Sequence, residues 1–241
     1  MDRLEPFDQA VLVSIIDRLD PLITEKKHNG TANLLTWQEL YQPLTLVEQE
    51  LLNACRRLKA ETLGSTSHYF GDTAPSNLVP VGAEQILKDG AAKPLDPQHL
   101  PQPTYDAYQA MMTAMQQDLG TRLLVESGYR SPAYQLYLFL FYTPTHGWSI
   151  RETNRHVALP GYSEHGNPAR QAIDFINQQG INGEDHPEEF EALPEYRWLL
   201  QHAQDFGFFL SYPRGNPDHT AFEPWHWHHE NSPRQTAHNT Q

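Results

Sequence analysis

A proline-rich stretch separates a helical first third of the sequence from a mixed remainder. Six prolines fall between positions 71 and 103, which predicts turns and extended pieces without regular elements. Before this stretch, apolar residues recur three and four positions apart over residues 8–19, which predicts a helix that Pro21 ends. A second helix is predicted to begin after Thr45, because Glu48 three residues later completes a capping box.

Beyond the prolines, helical patterns alternate with short apolar runs that are typical of strands. Ser131 followed by Pro132 predicts the N-cap and first turn of a helix. The predicted helices cover 105–119, 132–141 and 195–206, and the predicted strands cover 123–127, 172–176, 208–212 and 225–228. We therefore predict an α+β fold, in which helices cover a small, mainly antiparallel sheet.

The same pattern divides the chain into three parts. We predict a helical N-terminal extension over residues 1–75, a main domain over 76–232 and a frayed polar tail over 233–241. A lid, a dimer surface and a partner-binding piece are all compatible with the extension, and the oligomeric state stays open.

The charge balance limits the partners of the protein. With 17 Lys and Arg against 30 Asp and Glu, the net charge is −13, which argues against nucleic acid and anionic membranes as partners. No apolar run reaches the roughly 20 residues of a membrane-spanning helix. The first eight residues contain acids and a proline where a signal peptide has lysines and an apolar run, so we expect a cytoplasmic protein, or a periplasmic one if a leader has been removed.

The single cysteine restricts the kinds of metal site that are possible. Cys55 excludes an internal disulfide and any CxxC site, and its place on a helical apolar face predicts a buried side chain. Histidines and carboxylates must therefore hold any metal. His165, Asp174 and His226 supply two imidazoles and one carboxylate, a set that leaves zinc a fourth position for water.

A hydrolytic metal site also needs a carboxylate that takes the proton from the attacking water. Glu223 lies three residues before His226 and is the candidate. Strand alternation would point these two side chains to opposite faces. Pro224 is poorly tolerated inside a sheet, so we expect Glu223 on the incoming loop and His226 on the strand.

Three segments that include these residues resemble one family of peptidases. The family pattern is S-G-Y-R-S followed by Q, then S-x-H with a downstream A-x-D, and then E-x-W-H. In this sequence the pattern corresponds to Ser127–Ser131 with Gln135, Ser163–His165 with Ala172 and Asp174, and Glu223–His226. On these motifs, residues 103–230 resemble the VanY-type zinc D-alanyl-D-alanine carboxypeptidases, within a wider group of lysostaphin-like and hedgehog-like metallopeptidase folds.

The resemblance implies roles for individual residues. Arg130 would polarise the scissile carbonyl and stabilise the oxyanion, while Ser163 and Gln135 would hold the C-terminal end and backbone of the substrate. One zinc ion is implied as cofactor. The implied partner is a peptidoglycan stem peptide or muropeptide, from which the enzyme removes the C-terminal D-alanine.

The expected location selects among the specificities of this family. A cytoplasmic relative would trim recycled muropeptides, which favours an L,D-carboxypeptidase that acts on tetrapeptides in murein recycling. A D,D-carboxypeptidase on pentapeptides that end in D-Ala-D-Ala is the main alternative. A non-catalytic zinc- or peptidoglycan-binding module and an endopeptidase that cuts cross-bridges also remain open.

The sequence departs from the family pattern at two places. His165 and Asp174 are nine positions apart, two more than is usual, and Arg170 stands where the family has glycine. We expect the extra residues to form a bulge over 166–168. The last motif continues as Trp227–Glu230, where the family usually has arginine and tyrosine.

Three further histidines lie close to the last motif. His228 shares a strand face with His226 and is therefore a rival metal ligand. His219 and His229 are expected to face solvent or to lie just outside the ligands.

Overall fold

The computed structural model describes residues 2–88, 90–167, 169–216 and 221–230, so the predicted tail over 233–241 lies outside them. Its helices are α1 (Pro6–His28), α2 (Trp37–Tyr41), α3 (Leu46–Arg56), α4 (Gln102–Leu119), α5 (Pro132–Tyr142), α6 (Ile150–His156), α7 (Pro187–Glu191) and α8 (Pro194–His202). Its strands are β1 (Leu78–Pro80), β2 (Gln85–Lys88), β3 (Ala91–Pro94), β4 (His99–Pro101), β5 (Leu124–Ser127), β6 (Arg170–Ile176), β7 (Phe208–Leu210) and β8 (His226–Glu230). Among these helices, none combines the length and apolarity needed to cross a membrane.

A four-stranded antiparallel sheet forms the centre of the second half of the chain. Its strand order is β5-β6-β8-β7, and every neighbouring pair is antiparallel. Strand β6 is buried along almost its whole length, because it lies between two strands and under helices. The predicted α+β fold with a small, mainly antiparallel sheet is confirmed.

Helix α1 is longer than the sequence predicted. It continues through Pro21 to His28, so the prediction that Pro21 ends the helix is wrong. A proline inside a helix removes one backbone hydrogen bond and costs about 3 kcal/mol. Here the buried face continues beyond the proline, from Leu19 to Ile23, and the packing of that face outweighs the loss.

The predicted helix caps are confirmed. The Thr45 side chain accepts from the backbone N–H of Glu48, and Glu48 in turn accepts from the backbone N–H of Thr45. Ser131 caps α5 by accepting from the N–H of Tyr134, with Pro132 in the first turn. These caps satisfy backbone donors that a helix start leaves without partners.

The proline-rich stretch is more regular than predicted. Strand β1 pairs with β4, and β2 pairs with β3, so the prediction of no regular elements over 71–103 is wrong. Pro80, Pro94 and Pro101 each occupy the last position of a strand. A missing N–H is tolerated there, and the prolines therefore bound the strands without preventing them.

Two large apolar cores and one small cluster stabilise the part of the chain that the structure describes. The first joins α1 and α3 to α5, through residues such as Leu12, Leu52 and Leu136, and the second lies between α4, α8 and the four-stranded sheet. Cys55 is fully buried in the first core, as predicted, and burial raises the pKa of its thiol to about 12. The first core includes residues on both sides of position 75, and the domain boundary placed there stays a prediction.

Candidate metal centre and catalytic site

The register of three strands brings the candidate residues into one row. Ser127 on β5 lies opposite Asp174 on β6, and Asp174 lies opposite His226 on β8. His165 reaches the same point from a short helical turn, Glu164–Gly166, that begins after Ser163. Residues that are far apart in sequence therefore meet at one place on the sheet.

The donor atoms of the three predicted ligands converge. The Nδ1 atom of His226 lies 2.8 Å from Oδ1 of Asp174, and Nε2 of His165 lies 3.1 Å from Oδ2 of the same carboxylate. One donor atom from each residue lies within 4.8 Å of the other two. Zinc holds its nitrogen and oxygen ligands at about 2.0–2.2 Å, which places neighbouring ligands roughly 3–4 Å apart.

The first imidazole is held by a contact to the backbone. The Nδ1–H of His165 donates to the carbonyl of Gly128 at 2.7 Å, which leaves Nε2 free to bind a metal. Gly128 itself must be glycine, because a Cβ there would lie 2.6 Å from the carbonyl oxygen of His99. The geometry, the burial and the donor types of His165, Asp174 and His226 fit one zinc ion.

The charges of the cluster are strongly coupled. Burial alone would raise the pKa of Asp174, but the two imidazoles hold it well below its usual value. Burial alone would lower the pKa of His226, yet Asp174 and Glu164 raise it to about 10. Burial and the Arg130 guanidinium lower the pKa of His165. The carboxylates thus favour positive charge at this point, and a bound cation would displace the proton of His226.

Glu223 lies beside this cluster. Strand β8 begins at His226, so Glu223 is on the preceding loop, as predicted from Pro224. Its Oε2 atom is 3.8 Å from Nδ1 of His226. Burial and the negative charge of Asp174 raise the pKa of Glu223 to about 7, although His226 opposes the shift. A carboxylate with a pKa near neutrality is suited to general base and general acid work.

Arg130 stands at the corner between β5 and α5. Its Nε donates to the hydroxyl of Ser127 at 2.8 Å, and its Nη2 donates to Oδ2 of Asp174 at 2.8 Å. The guanidinium has five N–H donors, so these two contacts leave others for a substrate. The corner is fixed by the next residue, Ser131, which donates from its hydroxyl to the carbonyl of Leu35 and from its N–H to that of Asn33.

The two residues predicted to hold substrate are both buried. Ser163 caps the short turn that carries His165, accepting from its N–H at 3.3 Å. Gln135 on α5 donates from Nε2 to the carbonyl of Ala158 at 2.8 Å, and its Oε1 has no hydrogen-bond partner among the described residues. Their roles toward substrate stay predictions.

Of the three further histidines, His228 and His229 lie within the described residues, and neither joins the cluster. Nδ1 of His228 contacts the Ser211 hydroxyl at 2.7 Å, and its ring stacks on Phe209. His229 was expected to face solvent or to lie just outside the ligands. It is buried instead on the other side of the sheet, where it contacts Thr104 at 3.2 Å. His219 lies outside the described residues, and so does Pro168 of the predicted bulge.

Sequence reasoning missed two residues that contact His226. Glu164 is buried, and its Oε2 lies 3.1 Å from Nε2 of His226. Burial would raise the pKa of Glu164, but hydrogen bonds from His226 and Ser211 lower it to about 2. The ring of Tyr212 lies 4.9 Å from the ring of His226. Glu164 could have been found from its sequence position, because it is an acid directly before the candidate ligand histidine of the S-x-H motif. No sequence feature pointed to Tyr212.

Two imidazoles and a carboxylate converge beside a glutamate whose pKa is near neutrality. This arrangement is typical of the active site of a metal-dependent hydrolase. Residues 97–232, more than half of the chain, match the sequence model of the family VanY, described as D-alanyl-D-alanine carboxypeptidase. The chain therefore belongs to the VanY family.

This chain is also similar to three individual proteins. The putative carboxypeptidase YodJ of Bacillus subtilis (strain 168) is 30% identical over 158 residues, which are 65% of this chain and 54% of that protein. The chain thus spans about half the length of that curated relative. The solved structure of the LdcB LD-carboxypeptidase, which is described as revealing the molecular basis of peptidoglycan recognition, is also similar. The two chains are 25% identical with a TM-score of 0.53, and the match covers 70% of this chain and 77% of that one. A vancomycin-resistance D,D-pentapeptidase VanY, solved in complex with Zn(II), is 23% identical with a TM-score of 0.43 over 67% and 87% of the two chains.

Proposed function

We propose that this protein is a zinc-dependent carboxypeptidase that removes the C-terminal D-alanine from peptidoglycan stem peptides. The observation that carries the proposal is the position of Glu223, whose Oε2 lies 3.8 Å from a ligand nitrogen of the three-residue cluster. A purely structural metal site has no use for a free carboxylate at that position. Membership of the VanY family supports the same reaction class.

The residues divide the chemistry between them. Zinc bound by His165, Asp174 and His226 would act as a Lewis acid and lower the pKa of a water molecule. Glu223 would take a proton from the attacking water as its oxygen bonds to the scissile carbonyl carbon, and would give that proton to the nitrogen of the leaving D-alanine as the C–N bond breaks. Its pKa of about 7 permits both steps near neutral pH.

Arg130 stabilises the negative charge that develops on the scissile carbonyl oxygen. The guanidinium is fixed before substrate arrives, since Ser127 and Asp174 each accept one of its hydrogen bonds. Donors that need no reorganisation during the reaction are the effective ones in such a site. Ser163 and Gln135 are proposed to contact the C-terminal end and backbone of the peptide.

Within this reaction we propose the L,D specificity, with tetrapeptides as substrates and cytoplasmic recycling of muropeptides as the setting. The fold shared with an LD-carboxypeptidase supports the L,D specificity. The test is to incubate the protein with tetrapeptide and pentapeptide stems and to measure released D-alanine. Release from the tetrapeptide is expected, and release from the pentapeptide alone would overturn the L,D choice. Cell fractionation tests the setting.

The D,D-carboxypeptidase remains the second candidate, because the family description names the D-alanyl-D-alanine bond. The same incubation separates the two specificities. Bound zinc without release from either peptide would favour a non-catalytic binding module. Cleavage of cross-linked dimers but not of free stems would favour an endopeptidase.

A further inference from the structure

Glu164 is a buried carboxylate to which the proposed reaction assigns no role. Three donors surround it. Its Oε2 accepts from the hydroxyl of Ser211 at 2.5 Å and from Nε2 of His226 at 3.1 Å, and its Oε1 accepts from Nε of Arg170 at 2.8 Å. An ionised carboxylate with three donors is held in one orientation.

The ring of His226 lies between two carboxylates, with one nitrogen directed at each. Nδ1 faces Asp174 inside the ligand cluster, and Nε2 faces Glu164 on the far side. Once a bound cation has displaced one proton, the imidazole is neutral and carries a single N–H, whose position is set by the hydrogen bond that the ring makes. If the proton sits on Nε2 and is donated to Glu164, the lone pair of Nδ1 is available to a metal.

The opposite tautomer would disable two ligands at once. A proton on Nδ1 would be donated to Asp174 at 2.8 Å, and both atoms would then be occupied by a hydrogen bond. Glu164 favours the competent tautomer, because it offers an acceptor only to Nε2.

Arg170 holds Glu164 from the start of β6, directly after the lengthened loop. This residue stands where the family pattern has glycine, at the start of β6, and its side chain is 41% exposed. Its contact to Oε1 leaves Oε2 for His226 and Ser211. The departure from the family pattern therefore adds a side chain that fixes the carboxylate.

We propose that Glu164 is a positioning residue, which sets the tautomer and the orientation of His226 for zinc binding, and that Arg170 holds Glu164 in place. The proposal rests on the proposed zinc site but not on the choice of substrate.

The test is the zinc affinity of the full chain, measured without peptide by competition with a chromophoric chelator. Glu164→Gln keeps the size of the side chain but replaces the carboxylate with a neutral amide, which accepts more weakly from Ser211, His226 and Arg170. The expected result is a loss of about 10- to 100-fold in zinc affinity, with a changed visible spectrum of the cobalt(II)-substituted protein. Arg170→Ala leaves the contact to His226 and is expected to weaken zinc binding by about threefold or more, but less than Glu164→Gln does.

Glu48 offers a matched control. It is also a buried carboxylate with several donors, among them Ser14 and Arg18, but none of its contacts is to a ligand of the cluster. Glu48→Gln is expected to leave zinc affinity within about twofold. The proposal is overturned if Glu164→Gln binds zinc as tightly as the unaltered protein, or if Glu48→Gln loses as much.

The partly exposed Arg170 keeps the test decisive should Glu164→Gln fail to fold. An unchanged zinc affinity in Arg170→Ala would then overturn the proposal, and a loss of the expected size would support it. If the variants lose zinc affinity as expected but the unaltered protein cleaves no stem peptide, the proposed function is contradicted and the role of Glu164 still stands.

Discussion

Replacement of Arg130 by alanine is expected to lower kcat by about 10²- to 10³-fold without loss of zinc. Removal of a preorganised donor to a developing oxyanion costs about 2.7–4 kcal/mol of transition-state stabilisation, which corresponds to that range. The side chain is held by two hydrogen bonds of 2.8 Å and is 24% exposed, so it is preorganised and largely shielded from water. Its removal takes away a hydrogen bond that orients Asp174, but also a positive charge that opposes a cation beside His165 and Asp174. These effects offset each other, so zinc retention should not fall.

The Ser127 hydroxyl provides a graded test of the same reasoning. Ser127→Ala removes one of the two contacts that fix the guanidinium, and a single hydrogen bond to a charged group is worth about 1.5–3 kcal/mol. The other contact of the guanidinium, to Asp174, remains in this variant. We therefore expect only part of this energy to be lost from transition-state stabilisation, so that kcat falls by about tenfold or less. In the double variant, the serine substitution should add nothing further, since its effect is transmitted through Arg130.

The assay is D-alanine release from a tetrapeptide stem, with zinc content determined on the same samples. Near-unaltered kcat in Arg130→Ala would refute the oxyanion role. Additive losses in the double variant would show that Ser127 acts by another route. A parallel loss of zinc and activity would show that Arg130 supports the metal site and not the transition state.

Four other side chains give separate tests of the site and of the fold. Glu223→Gln should retain zinc and lose about 10²- to 10⁴-fold in kcat, and full activity with bound zinc would exclude Glu223 as the base. Ser131→Ala removes a helix cap and a contact to Leu35, so the free energy of unfolding should fall by about 0.5–2 kcal/mol in denaturant titrations; an unchanged midpoint would contradict this. Burial raises the pKa of Glu126 from 4.5 to about 7. This residue therefore contributes stability below pH 4.5 that is lost as the pH rises through 7. Glu126→Gln should raise the free energy of unfolding at about pH 8, by at most about 3 kcal/mol, and should not raise it at about pH 4. The Cys55 thiol, with a pKa of about 12, should react with a thiol reagent only at the rate of unfolding, and rapid labelling of the native protein would contradict its burial.

The convergence of the three candidate ligands could be predicted from sequence because each belongs to a short motif. His165, Asp174 and His226 are recognisable by their neighbours, and the chemistry of zinc explains why those residue types occur together. The place of Glu223 followed from a local rule, since Pro224 is unsuited to the interior of a strand.

The contacts of Glu164 could not be predicted in the same way. They depend on the register of β6 with β8 and on the path of a loop, neither of which leaves a local pattern. The continuation of α1 past Pro21 was missed for a related reason, because packing against distant parts of the chain decided it. The strands over 71–103 were missed because proline ends short strands as readily as it excludes them.

The hydrogen bonds from Ser131 to the main chain at positions 33 and 35 have an evolutionary consequence. The corner that carries Arg130 is held in part by the main chain of the first third, although all the candidate catalytic groups belong to the second half. A residue gained or lost between α1 and α2 would shift these two carbonyls and carry Arg130 with them. We therefore expect drift in this segment to occur by substitution at constant length, while insertions accumulate in loops that do not touch the corner.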